Sequence, residues 1–162
     1  MKKIFICTLV FLCGCASSGP GLFTLPVSAD VTLYYIPMTE WQPLKGPLPA
    51  TLDFSYRNEE GSPVICNVSV FSGEALPREV SAASLESEKA AAACRQIGQL
   101  LVRPEKKELR VTTQVDIEDF IKVIESEEIV FVCRVDGVDG RYKAPKDFYR
   151  YAEQFLLSLG RR

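Results

Sequence analysis

Apolar and polar residues alternate with period two over several short runs of the chain and change to helical spacing in three places. Residues 30–37 include the β-branched and aromatic run VTLYYI and predict a strand. Pro37, Pro43, Pro47 and Pro49 then fall within thirteen residues. That density argues against a helix or a central strand and predicts a loop around Trp41, the only tryptophan. Next, Leu52, Phe54 and Tyr56 alternate with Thr51, Asp53 and Ser55, and Val64, Cys66, Val68 and Val70 line one side of a second alternating run. The turn residues Asn58, Gly61 and Ser62 join the two runs, so residues 50–71 predict a β-hairpin.

The first helical stretch is residues 84–101. Its centre is four alanines, and Ala90, Ala93, Cys94, Ile97 and Leu101 fall on one face until Pro104 stops the helix. Residues 109–115 return to alternation. Asp116 then stands as N-cap of a short helix with Asp119 at N3, burying Ile117, Phe120, Ile121 and Ile124. Residues 128–135 are apolar on both faces, as in a central strand. The doubled Asp-Gly of residues 136–140 predicts a tight turn into a short return strand, 141–144. Pro145 opens a last helix whose stripe is Phe148, Ala152, Phe155, Leu156 and Leu159. The predicted fold is therefore α+β in the order β-β-β-α-β-α-β-β-α. About three helices pack on a mostly antiparallel sheet of about five to six strands.

Composition narrows the chemistry. A pI of about 5.3 and a net charge of −2 argue against a nucleic-acid partner. The chain has no histidine, which removes Ser-His-Asp and Cys-His catalysis and the usual imidazole ligands of zinc. Asp136, Asp139 and Asp147 lack the alternating ligands and distal Glu of a calcium loop, and turn formation accounts for them. Asp116, Glu118, Asp119, Glu125, Glu127 and Glu128 fall mostly on a solvated helix face rather than as a paired acid and base. No cofactor, metal or catalytic set is expected.

The leader adds an address. Lys2 and Lys3 precede an apolar run, residues 4–12, of the length of a signal h-region and too short to span a bilayer. Leu12-Cys13-Gly14-Cys15 follows, and then the small residues Ala16, Ser17, Ser18 and Gly19. This resembles the lipobox of bacterial lipoproteins. The resemblance implies that residues 1–14 are a signal peptide, that Cys15 is lipidated and becomes the first mature residue, and that lipid holds the chain in a membrane. Ala16, where an inner-membrane lipoprotein of enteric bacteria has Asp, favours the outer membrane. Residues 15–29 read as a tether of at most about 50 Å, and residues 30–162 as one domain.

Three further cysteines remain in the mature chain, Cys66, Cys94 and Cys133. All three sit at inward positions of their predicted elements. An odd number allows one bridge, for which Cys66 and Cys133 are the first candidates as members of one sheet. Two functions fit these expectations. One is a non-enzymatic envelope lipoprotein of accessory, scaffold or assembly type, meeting an envelope protein or component through an exposed surface, with Trp41 a contact point if exposed or a core cap if not. The other is a small-ligand or lipid-binding module with a cavity between sheet and helices, lined by Tyr34, Tyr35, Phe54, Tyr56 and Phe71.

Overall fold

The computed structural model of the chain describes residues 21–45 and 49–161. The predicted signal peptide and Cys15 lie outside the described residues. The strands are β1 (Phe23–Pro26), β2 (Thr32–Lys45), β3 (Ala50–Arg57), β4 (Val64–Phe71), β5 (Val80–Ser87), β6 (Ala91–Ala93), β7 (Arg95–Arg103), β8 (Glu108–Val115), β9 (Ile129–Val135) and β10 (Val138–Lys143). Two α-helices, α1 (Ile117–Ile124) and α2 (Lys146–Ser158), follow β8 and β10. The strands form one antiparallel sheet in the order β6-β5-β9-β10-β2-β3-β4-β8-β7, with β1 added to β2.

This corrects the α+β expectation. The domain is mostly strand, a nearly closed antiparallel barrel with two α-helices rather than three, and its sheet has ten strands rather than five to six. Two segments account for the difference.

The first is residues 84–101, predicted as a helix. Here β5 turns at Ser87, whose hydroxyl accepts the N–H of Lys89 (3.3 Å) and of Ala90 (3.1 Å). β6 then returns along β5, pairing Leu85 with Ala92 and Ser84 with Ala93. Only Cys94 separates β6 from β7, which pairs with β8 at the other end of the sheet order. The Cys94 N–H donates to the Ala83 carbonyl (3.0 Å), and Gln96 takes a positive φ of 51° where the chain bends. Residues 91–103 therefore stitch the two ends of the sheet together. Alanine's helix preference is worth only a few tenths of a kcal/mol per residue, and closure pairs two otherwise open edges. Small side chains suit a seam where backbones approach closely.

The second is residues 37–45, predicted as part of a loop. They continue β2, and the prolines sit where the ladder is interrupted. The β2–β3 register shifts between Ile36 and Thr39, around Pro37, and the β10–β2 register shifts next to the pairing of Tyr142 with Pro43. A residue without an N–H is tolerated at such bulges.

Elsewhere the elements follow the pattern closely. β3 and β4 pair as a hairpin with Phe54 opposite Cys66. Asp116 accepts the N–H of Glu118 (2.9 Å) and of Asp119 (3.2 Å) at the start of α1. The β9–β10 turn is Asp136-Gly137 with φ of 49° and 82°, the primed geometry that suits tight hairpins. The second Asp-Gly lies inside β10, where Gly140 makes room for the Tyr142 ring, because a Cβ there would stand 2.6 Å from its hydroxyl.

Candidate functional site

The inward faces of β2, β3, β4 and β8 and the stripes of α1 and α2 meet in one aromatic core. Phe54 packs on Phe120 (5.3 Å between ring centres) and Phe148 (5.5 Å), and Tyr34 and Tyr56 meet the Phe155 ring edge-on. The space bounded by Tyr34, Ile36, Phe54, Phe120 and Phe155 is filled, with a free volume of about 0 Å³. Of the aromatics expected to line a ligand cavity, Tyr34, Phe54 and Tyr56 thus pack against other rings. Tyr35 points outward, opposite Phe23, and Phe71 ends β4. The interior offers no room for a ligand at this place.

Trp41 belongs to the same core. It is fully buried at 0 % exposure, 4.9 Å from Phe148 and 6.4 Å from Phe131 between ring centres. Its indole N–H donates to the Thr39 hydroxyl (3.0 Å), which lies 3.5 Å from the Leu52 carbonyl oxygen. It is a core residue, not an exposed contact point. The alternation of Thr39 and Trp41 with Met38, Glu40 and Gln42 carried the signal, obscured by the neighbouring prolines.

The three described cysteines are free thiols, so the Cys66–Cys133 bridge is absent. The ladder explains why. Cys66 stands opposite Phe54 and Thr113, whereas Cys133 stands opposite Ala83 and Gly140 on other strands. Burial pushes the Cys66 thiol well up and the Cys133 thiol to about 12, and Tyr142, hydrogen-bonded to Cys133, is raised to about 12, chiefly by burial. Burial also raises Cys94. Thiols held neutral in this way are poor nucleophiles at neutral pH.

Each carboxylate weighed for metal binding has its own local partner. Asp136 accepts the N–H groups of Arg78 and Glu79, Asp139 pairs with Arg134 (2.7 Å), and Asp147 pairs with Arg150 (3.1 Å). In the acidic cluster, Asp119 pairs with Lys122, Glu118 with Arg161 and Glu128 with Lys143. Among the described residues no group of three or more metal-ligating side chains converges. A trough of about 400 Å³ on the outer side of β5, β9 and β10 is ringed by Lys45, Arg134, Asp139 and Arg141. Arg134 in it is already paired with Asp139, and Arg141 lies 3.3 Å from Glu86.

The outer face of the barrel holds the feature that the sequence hid best. Asp53 points away from the core yet is only 2 % exposed. Arg110 of β8 reaches back over β4 to form an ion pair with it and donates to the Ser69 hydroxyl (2.9 Å), while Asn67 donates to the other Asp53 oxygen (2.8 Å). This closed network spends its donors and acceptors internally and works as a clamp across three strands.

The other outer-face feature is β1. It pairs with β2 so that Phe23 faces Tyr35 and Leu25 faces Leu33. Because Tyr34 packs inward, these four side chains project outward. Phe23, Leu25 and Val27 are 55 %, 60 % and 50 % exposed. The Leu22 N–H donates to Gln154 of α2 (2.8 Å), so the fold already takes in Leu22, seven residues before the predicted end of the tether. Among the described residues no helix is long and apolar enough to cross a membrane. No known protein family, curated protein or solved structure matches the chain.

Proposed function

We propose that the chain is a bacterial envelope lipoprotein that is held in a membrane by lipid on Cys15 and acts without catalysis, through surface contacts with an envelope protein or component. The observation that carries this reading is the basic and apolar leader ending in Leu12-Cys13-Gly14-Cys15. The folded domain is compatible with it. A barrel with a filled aromatic core, neutral buried thiols and locally partnered carboxylates at Asp136, Asp139 and Asp147 suits a scaffold better than an enzyme. The leaflet is expected to be that of the outer membrane, from Ala16.

Cys15→Ala tests the anchor directly. The wild-type chain is expected in the membrane fraction, cut before Cys15 and carrying acyl chains detectable by mass spectrometry, and the variant is expected uncut and unacylated. An unmodified wild-type Cys15 would sink the reading. Crosslinking in intact envelopes tests the contact role, which fails if the anchored protein yields no reproducible adduct.

A further inference from the structure

We infer that the outer face of β1 and the start of β2 seats on the bilayer surface, with Phe23 and Leu25 entering the same leaflet as the acyl chains of Cys15; this rests on the proposed anchor. Three observations lead there. First, the apolar side chains are exposed as a set. Phe23 and Leu25 lie on one side of β1 with Val27 just beyond its end, Leu33 and Tyr35 stand beside them on β2, and Ile65 of β4 lies past Ser55 of β3, the last three apolar residues being partly exposed. Of the remaining exposed apolar residues, Leu100 and Leu101 adjoin each other in β7, and Met38, Leu44, Leu157 and Val138, at 65 %, are separated along the chain, which is ordinary for a protein surface.

Second, the chain leading to this patch is short. Phe23 lies eight residues after Cys15, a span of at most about 28 Å when fully extended. The Leu22–Gln154 hydrogen bond fixes where that span meets the domain. An anchored Cys15 therefore keeps β1 beside the membrane wherever the rest of the barrel points. Val138 follows the β9–β10 turn, beyond the Lys45 end of β2, and so stands at the opposite end of that long strand from Leu33.

Third, the patch is not a charged surface. Arg57 beside Leu33 is offset by Glu59 and Glu60 in the turn that follows. Seating is thus driven by apolar burial, with the aromatic pair Phe23–Tyr35 (6.2 Å between ring centres) at the level where aromatic residues favour the membrane interface.

The test uses the full lipidated protein in vesicles of phosphatidylethanolamine and phosphatidylglycerol, with or without bromine on the acyl chains. Phe23→Trp and Val138→Trp are each read as the emission added to that of the buried Trp41. Bromolipid is expected to remove most of the emission added by Phe23→Trp, equally at low and high salt, and to leave that of Val138→Trp unchanged. Leu25→Trp serves as a second probe of the same face. Unquenched Phe23→Trp and Leu25→Trp on a chain whose Cys15 carries lipid would overturn the seating and leave the anchor standing. Unquenched but blue-shifted emission with crosslinks between copies would assign the face to self-association and overturn it too. Equal quenching of the Val138→Trp probe would remove the orientation. A Cys15 without lipid would remove both proposals.

Discussion

Two aromatic groups in this chain lie on opposite sides of the same strand. On the inner side of β2, Trp41 and Tyr34 pack against rings from α2 and β9, and nothing separates them from the core. On the outer side, Tyr35 and Phe23 pack against each other, with Tyr35 partly exposed and Phe23 more than half exposed. Composition does not distinguish the two groups, but facing does. The inner group converts burial into stability at about 1.5–3 kcal/mol per large side chain. The outer group contributes little to the isolated domain and is free to contribute elsewhere.

The contrast is broken most severely at Phe148, which joins Trp41 to Phe54. Phe148→Ala is expected to cost about 3–5 kcal/mol in denaturant unfolding, because the fixed rings around it cannot collapse into the hole. Arg110→Met should cost a similar amount, about 3–5 kcal/mol, by leaving the Asp53 carboxylate buried without its partner. The double variant Asp53→Leu with Arg110→Met should recover much of that loss. A double variant as unstable as the single one would show that packing, not charge, is at stake.

Alkaline pH acts most on the inner wall, although burial and the nearby Asp53 carboxylate also raise Tyr35 on the outer side. Cys133 and Tyr142 have folded-state values raised to about 12, above the ordinary thiol and phenol values of 9.0 and 10.0. Below pH 9 both groups are neutral in the folded and unfolded chain, and stability is intact. From there to about pH 12 the unfolded chain loses protons that the folded one keeps. Stability should therefore fall as pH rises, by up to about 1.4 kcal/mol per pH unit for each group. Unfolding curves of the wild type and Cys133→Ala between pH 8 and 11 measure this, and the variant should show the shallower decline.

The smaller effects lie outside. Gln154→Ala removes one hydrogen bond, so about 1 kcal/mol and faster amide exchange over residues 22–26 are expected. Phe23→Ser should change the stability of the free domain by less than about 0.5 kcal/mol. A larger loss would mean that the outer group is part of the fold after all.

The same difference between local and distant partners decides how much the sequence could say. The β3–β4 hairpin and the Asp116-capped helix were legible because their signals are complete within a few neighbouring residues. Residues 84–101 were not. Four consecutive alanines fit helix and close-packed seam equally well, and the closing partners, β5 and β8, lie on either side of them in the chain. The glycine at position 98 and the Ser87 turn were the available warnings. Prolines 37 and 43 suggested a break because the bulges that accommodate them depend on β3 and β10. The partner that buries Asp53 comes 57 residues later and two strands away, beyond the reach of any period. Cys15, on which the proposed function rests, is read from the leader alone and lies outside the described residues.

The pairing of β2 with β10 sets the order in which this chain can fold. Gln42 meets Lys143, and that contact together with the β5–β9 pairing joins segments that are distant in sequence. Such non-local pairing places the domain among slow folders. The β3–β4 hairpin can form early, but the barrel cannot close before β10 is available. A chain passing through a membrane from its N-terminus would thus remain open along one side of β2 until nearly all of it had crossed, with its aromatic residues in need of protection meanwhile.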